Sequence, residues 1–158
     1  MPIYMGIFEK PNVLSKSLRG NVKAKGYEGW IELESASHEA QRTFRNTVGV
    51  NPEASLSHIH EILATRIPDS LSSALVQEVD RGKGRLIVLA FVREDGTTYM
   101  KLVLQNTLFA SFTYSASGVG IPIESFTLNF TNITFEMSPN SPDTTHSQLY
   151  QLGQQKKP

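Results

Sequence analysis

Residues 123–137, Ile-Glu-Ser-Phe-Thr-Leu-Asn-Phe-Thr-Asn-Ile-Thr-Phe-Glu-Met, constrain this chain more than any other stretch. Phe126, Leu128 and Phe130 lie two apart with Thr127 and Asn129 between them, the alternation of a strand with one buried face. The phase then slips: Ile133, Phe135 and Met137 are also two apart, on the opposite parity. A strand does this through a β-bulge near Thr131 and Asn132, or by leaving one packing environment for another. At about 3.3 Å per residue the stretch reaches on the order of 50 Å, long for a small domain. Part of it, with Ile133, Phe135 and Met137 as the candidate subunit-interface strand, is expected to serve a neighbour.

The rest of the chain supplies partners for that strand. Residues 3–8 read as a short apolar strand. Residues 10–29 read as a polar, solvated loop made basic by Lys10, Lys16, Arg19, Lys23 and Lys25. After Trp30, Ile31 and Leu33 alternate with Glu32 and Glu34, and the polar far end near His38 is expected to project or form an edge. Asn46, Gly49, Asn51 and Pro52 mark residues 42–52 as a loop. Leu56, Ile59, Leu63 and Ile67 fit a helical stripe better than a strand. Pro68 ends that element, and Asp69 or Ser70 caps a clear helix over about 70–81, closed by Gly82. Residues 86–92 are apolar on both faces, so helix and core, or another subunit, must cover them. Asp95-Gly96 signals a hairpin, and the return strand alternates through Met100, Leu102, Leu104, Leu108, Ala110 and Phe112. Beyond Met137 the chain is polar, with Pro139, Pro142 and Pro158, and is expected to be disordered. The pattern predicts a mainly β fold, an antiparallel barrel or sandwich with one flanking α-helix. Residues 1–137 would form the domain and residues 138–158 its tail.

Composition closes several functional routes. Lysine plus arginine and aspartate plus glutamate number 15 each, so no global field draws nucleic acid. Cysteine is absent, which removes thiol catalysis and thiolate metal sites. The first residues read as a strand and not as a signal peptide, and no apolar run approaches bilayer length, so membrane insertion is not expected. His58 and His60 are the sharpest ligand-like pair, but Glu61 falls too close and His146 is the only later histidine. They read as surface histidines, with a metal-dependent barrel enzyme using both as an alternative. No Gly-x-Ser-x-Gly elbow or phosphate loop is present. No catalytic, cofactor or metal site is expected. A monomeric ligand-binding β-barrel, with residues 86–92 lining its pocket, is the other alternative.

The order of elements resembles a known family. It runs from Trp30-Ile-Glu-Leu through Pro52-Glu-Ala-Ser-Leu-Ser to Asp69-x-x-Ser72-x-x-Leu75 opening the lone helix. The strand Leu86-x-Val-Leu-Ala-Phe-Val follows, then Leu102-x-Leu104-x-Asn-x-Leu108 and Glu124-Ser-Phe-Thr-Leu-Asn-Phe. This is similar to the haemolysin-coregulated protein (Hcp) family, the tube component of bacterial type VI secretion, across residues 1–137. The resemblance implies a homo-hexameric ring of flattened barrels, stacked into a tube and working with sheath, spike and effector proteins. It implies a strand, not a helix, near residues 56–65, and a secreted carrier of small effectors in place of an enzyme. The protein would stay in the bacterial cytoplasm until firing, then leave the cell or enter a target cell. Residues Arg42, Thr43, Phe44, Arg45, Asn46 and Val48 fall in the candidate ring-stacking loop.

Overall fold

The computed structural model describes the backbone of residues 1–43, 56–59, 61–137 and 146–151, and the side chains of residues 1–39 and 61–137. The strands in chain order are β1 (Ile3–Lys10), β2 (Val13–Leu14), β3 (Ile31–Leu33), β4 (Ser35–Ser37), β5 (Ala40–Thr43), β6 (Leu56–Ile59) and β7 (Ile62–Arg66). The helix α1 (Ser72–Arg81) follows, then β8 (Arg85–Val92), β9 (Thr98–Ser115), β10 (Ile123–Asn129), β11 (Asn132–Met137) and β12 (His146–Gln151). Every pairing is antiparallel. Residues 56–59 and 62–66 are strands, so the helical stripe counted there is overruled by pairing with β5 and β10. Apolar spacing over so short a run does not separate the two periods.

The member shared by the whole fold is β9. Its first part pairs with β8 on one side and with β11 on the other. Residues 108–115 pair with β10, which continues through β7 to β4. One ladder thus becomes two layers. Their inner faces meet in a single core of Met5, Ile7, Ile87, Leu89, Leu104 and Ile133 from one layer and Ile62, Ala64, Phe126 and Leu128 from the other. Leu75 of α1 is fully buried in the same core.

The turn from one layer to the next explains the phase slip. Pairs Asn129↔Leu108 and Asn132↔Gln105 share one unbroken register, which sets Thr131 opposite Asn106. Phe130 and Ile133 are both buried, so the inward parity changes between them. On β9 the parity changes at the same rung: Leu102 and Leu104 point inward, then Thr107 and Phe109. Asn106 makes this possible by taking a φ of 50°, a left-handed conformation that asparagine tolerates better than most residues, and β9 carries an extra residue against β8 there. Simple alternation through Leu108 and Ala110 is therefore corrected. Leu108 is 45% exposed while Phe109 is 4% exposed. The irregularity falls on β9 and not within residues 123–137, where the strand changes packing environment instead.

The doubly apolar β8 is covered by its own chain. Val88, Ala90 and Val92 face a second cluster formed by Tyr27, Trp30, Tyr4 and Phe8. Residues 15–30 are thus a lid of this outer core and not simply a solvated loop: Tyr27 and Trp30 are buried in it, while Leu18 reaches the inner core. Their lysines and Arg19 remain exposed, as a charged rim over apolar anchors. Gly6 makes room for the lid: a Cβ there would come within 2.9 Å of the Trp30 ring.

The helix begins at Ser72, and Asp69 serves its start without being the cap residue. Its Oδ1 accepts the Leu71 N–H at 2.8 Å, while its own N–H donates to Ser72 Oγ at 3.1 Å. The Asp95-Gly96 hairpin forms as expected, with Gly96 at a φ of 90° and Asp95 accepting from the Thr97 N–H at 2.9 Å. The tail is not wholly without structure: His146–Gln151 forms β12, antiparallel to β11. The outer side of β11 offers unpaired backbone groups, and pairing satisfies them.

Candidate functional site

The layer β9–β10–β7–β4 carries the features that an assembling protein needs. No strand pairs with the outer side of β4 among the described residues, nor with residues 108–115 of β9 on the side away from β10. The outward face between these edges holds Ser35, Thr65, Ser111 and Thr127 with Leu63 and Leu108. Hydroxyl pairs cross it, Ser35 to Thr65 at 2.5 Å and Ser111 to Thr127 at 2.8 Å. β-branched and small hydroxyl residues fit a pleated, solvated surface.

One end of this layer is built around a buried ion pair. Arg66 and Glu124 stand directly opposite each other on β7 and β10. Arg66 Nη1 donates to Glu124 Oε1, and the two side chains are 3% and 1% exposed. Arg66 Nη2 also meets Asp69 Oδ1 at 2.6 Å, while its Nε–H is buried with no acceptor among the described residues. A cleft of about 270 Å³ opens beside the pair, lined by Asn21, Glu32, Glu34, Ile67, Pro68 and Asp69. Beyond it the β9–β10 tip exposes Tyr114, Val119, Ile121 and Ile123. No charged residue occurs between Lys101 and Glu124.

The opposite end of the layer carries the β5–β6 hairpin, which joins the end of β4 to the start of β7. Of the expected stacking loop, Arg42 and Thr43 close β5; Phe44, Arg45, Asn46 and Val48 lie outside the described residues. The expected interface strand is placed differently along its length. Ile133 is fully buried in its own core, Phe135 packs against that core, and Met137 is half-buried. His58 lies in β6 with its side chain outside the described residues, as is all of His60. Among the described residues no helix is long and apolar enough to cross a membrane.

Arg66 and Glu124 escaped the sequence reading, although a signal was present. Arg66 shares parity with Ile62 and Ala64, and Glu124 with Phe126 and Leu128. Opposite charges in the inward register of two apolar strands are the mark of a buried pair.

Comparison with known proteins agrees with this geometry. Residues 5–137 match the family described as Type VI secretion system effector, Hcp. No curated protein sequence matches the chain. Among solved structures, Hcp1 from E. coli EAEC 042 superposes with a TM-score of 0.74 at 17% identity, covering 95% of this chain and 99% of its own. Hcp1 from Salmonella typhimurium gives 0.75 at 16% identity, over 96% and 94%. The cap that terminates the anti-feeding prophage tube gives 0.53 at 12%, over 86% and 88%.

Proposed function

Because the chain belongs to the type VI secretion system Hcp family, we propose that it is a structural tube subunit, one of six in a ring that stacks on further rings. The family match across residues 5–137 carries this reading. The geometry supports it. A layer with one free edge on each side closes head-to-tail into a ring when the edge of one copy meets the other edge of the next. The edges at β4 and at residues 108–115 of β9 are the pair we assign to that contact. Phe135 and Met137, half-buried in the single chain, add to the subunit interface with Ile133 behind them.

The uncharged hydroxyl face between the two edges is the surface we assign to the lumen. It would carry small effector proteins without binding them by charge, so that release needs no ion-pair dissociation. Sheath and spike proteins are the expected partners outside and at the tip. The protein would act as a scaffold and carrier without turnover of its own, held in the bacterial cytoplasm until firing and found outside the cell afterwards.

Light scattering behind a sizing column, with negative-stain images of the main peak, tests the reading. Six chains per particle and annular images are expected. A monomer across a wide concentration range overturns it in favour of a solitary ligand-binding barrel.

A further inference from the structure

The cleft beside the buried ion pair is built from three segments of one chain. Asn21 and Val22 come from the lid, Ile31, Glu32 and Glu34 from β3 and the residue after it, and residues 66–69 from the end of β7 onward. Backbone hydrogen bonds hold these walls together. The Val22 N–H donates to the Trp30 carbonyl at 3.1 Å, and the Glu34 N–H to the Thr65 carbonyl at 2.8 Å. Gly20 lets the lid come this close, since a Cβ there would meet the Trp30 carbonyl oxygen at 2.3 Å. The cleft is thus formed before any ligand arrives. At about 270 Å³ it has room for one side chain and is smaller than most small-molecule sites.

Two features of the lining call for a ligand. Arg66 engages Glu124 and Asp69 through Nη1 and Nη2, and its buried Nε–H is left without an acceptor among the described residues. A buried donor with no partner is rare in folded proteins, because it carries its full desolvation cost. At the mouth, Glu32 and Glu34 are exposed, and among the described residues neither forms an ion pair. Two carboxylates already balance the Arg66 charge, so a further anion at the base would be repelled and a neutral carbonyl oxygen is the acceptor that fits. Cations belong outside it, on Glu32 and Glu34. We infer that the cleft binds a basic peptide segment of a partner protein. One asparagine or glutamine amide of that segment enters and accepts from Arg66 Nε–H, and flanking lysine or arginine side chains meet Glu32 and Glu34. Ile67, 45% exposed, and Pro68 offer apolar surface to the stem of the entering side chain. Every residue of the site belongs to one chain, so the inference does not depend on ring formation.

Two fluorescein-labelled peptides test the site, Lys-Gln-Lys and Lys-Leu-Lys, each extended by Gly-Ser at both ends and amidated. Each is titrated with the full-length protein, in whatever oligomeric state it purifies, and followed by anisotropy. The glutamine peptide is expected to bind about tenfold more tightly than the leucine peptide, because only its amide satisfies Arg66. Glu32→Gln with Glu34→Gln should weaken the glutamine peptide about tenfold. Both glutamates are exposed, so this variant keeps the parent fold. Asp80→Asn, on the helix with its side chain 81% exposed, should leave the affinity unchanged. Equal affinity for the two peptides overturns the role of the Arg66 donor, and the site with it. An equal loss in Asp80→Asn, or no loss in the double variant, reveals attraction by general charge and overturns the site as well. So does a glutamine peptide that fails to bind at millimolar protein.

Discussion

Arg66 and Glu124 face each other across β7 and β10, sealed from water except for the contact of Arg66 with Asp69. A buried pair is weak support for stability in itself, but breaking it leaves a charge with no compensation. Glu124→Gln is expected to cost about 3 kcal/mol in urea unfolding, at the low end of broken buried pairs because Asp69 still holds the guanidinium. The double replacement Arg66→Met with Glu124→Leu should cost less than the single one. A single variant as stable as the parent would show that the pair is solvated.

The corner at Asn106 makes a second prediction. Valine there must adopt a left-handed backbone and should lose about 1–2 kcal/mol, whereas glycine should stay close to the parent. If valine were neutral, the parity change on β9 would not depend on that conformation.

Trp30 is the only tryptophan, so its fluorescence reports the outer core directly. Gly6→Ala drives a methyl group into the ring and should cost about 1–3 kcal/mol with a shifted emission. An unchanged spectrum and midpoint would place the lid of residues 15–30 away from β1.

Tyr4, in the same cluster, has its hydroxyl held above its ordinary ionisation range, first by burial and then by repulsion from Glu32, Tyr27 and Glu94. The folded protein therefore binds this proton more tightly than the unfolded chain. The associated stability is complete below about pH 10 and is lost as pH rises through the folded value. Alkaline unfolding of Tyr4→Phe should show a smaller loss across that window than the parent.

Arg42→Glu with Arg45→Glu should leave single rings intact by light scattering while lowering the fraction of stacked rings in negative-stain fields. Loss of the ring or of the fold would mean that this segment belongs to the core. Tubes as long as those of the parent would remove charge from the junction.

The sequence carried the mainly β character, the flanking helix and the hairpin at Asp95 because each rests on local chemistry. It failed where tertiary contact overrode local pattern. The stripe of Leu56, Ile59, Leu63 and Ile67 has helical spacing, but its backbone groups find partners in β5 and β10. The alternation of β9 broke at Asn106, whose conformation answers to a rung on another strand. The loop of residues 10–29 looked solvated because its lysines outnumber its anchors, and only contact with β8 shows Tyr27 as core. The cleft was hidden for a similar reason, since Asn21, Glu32 and Asp69 come from separate segments.

The length of β9 has a mechanical meaning. It runs as one strand from Thr98 to Ser115, pairing in both layers with irregular rungs where it passes between them. A thrust applied at one end reaches the other through a continuous covalent strand and not across a stack of side chains. The hydrogen bonds that flank it lie crosswise to the strand, so such a load meets them in shear and is shared among neighbouring rungs.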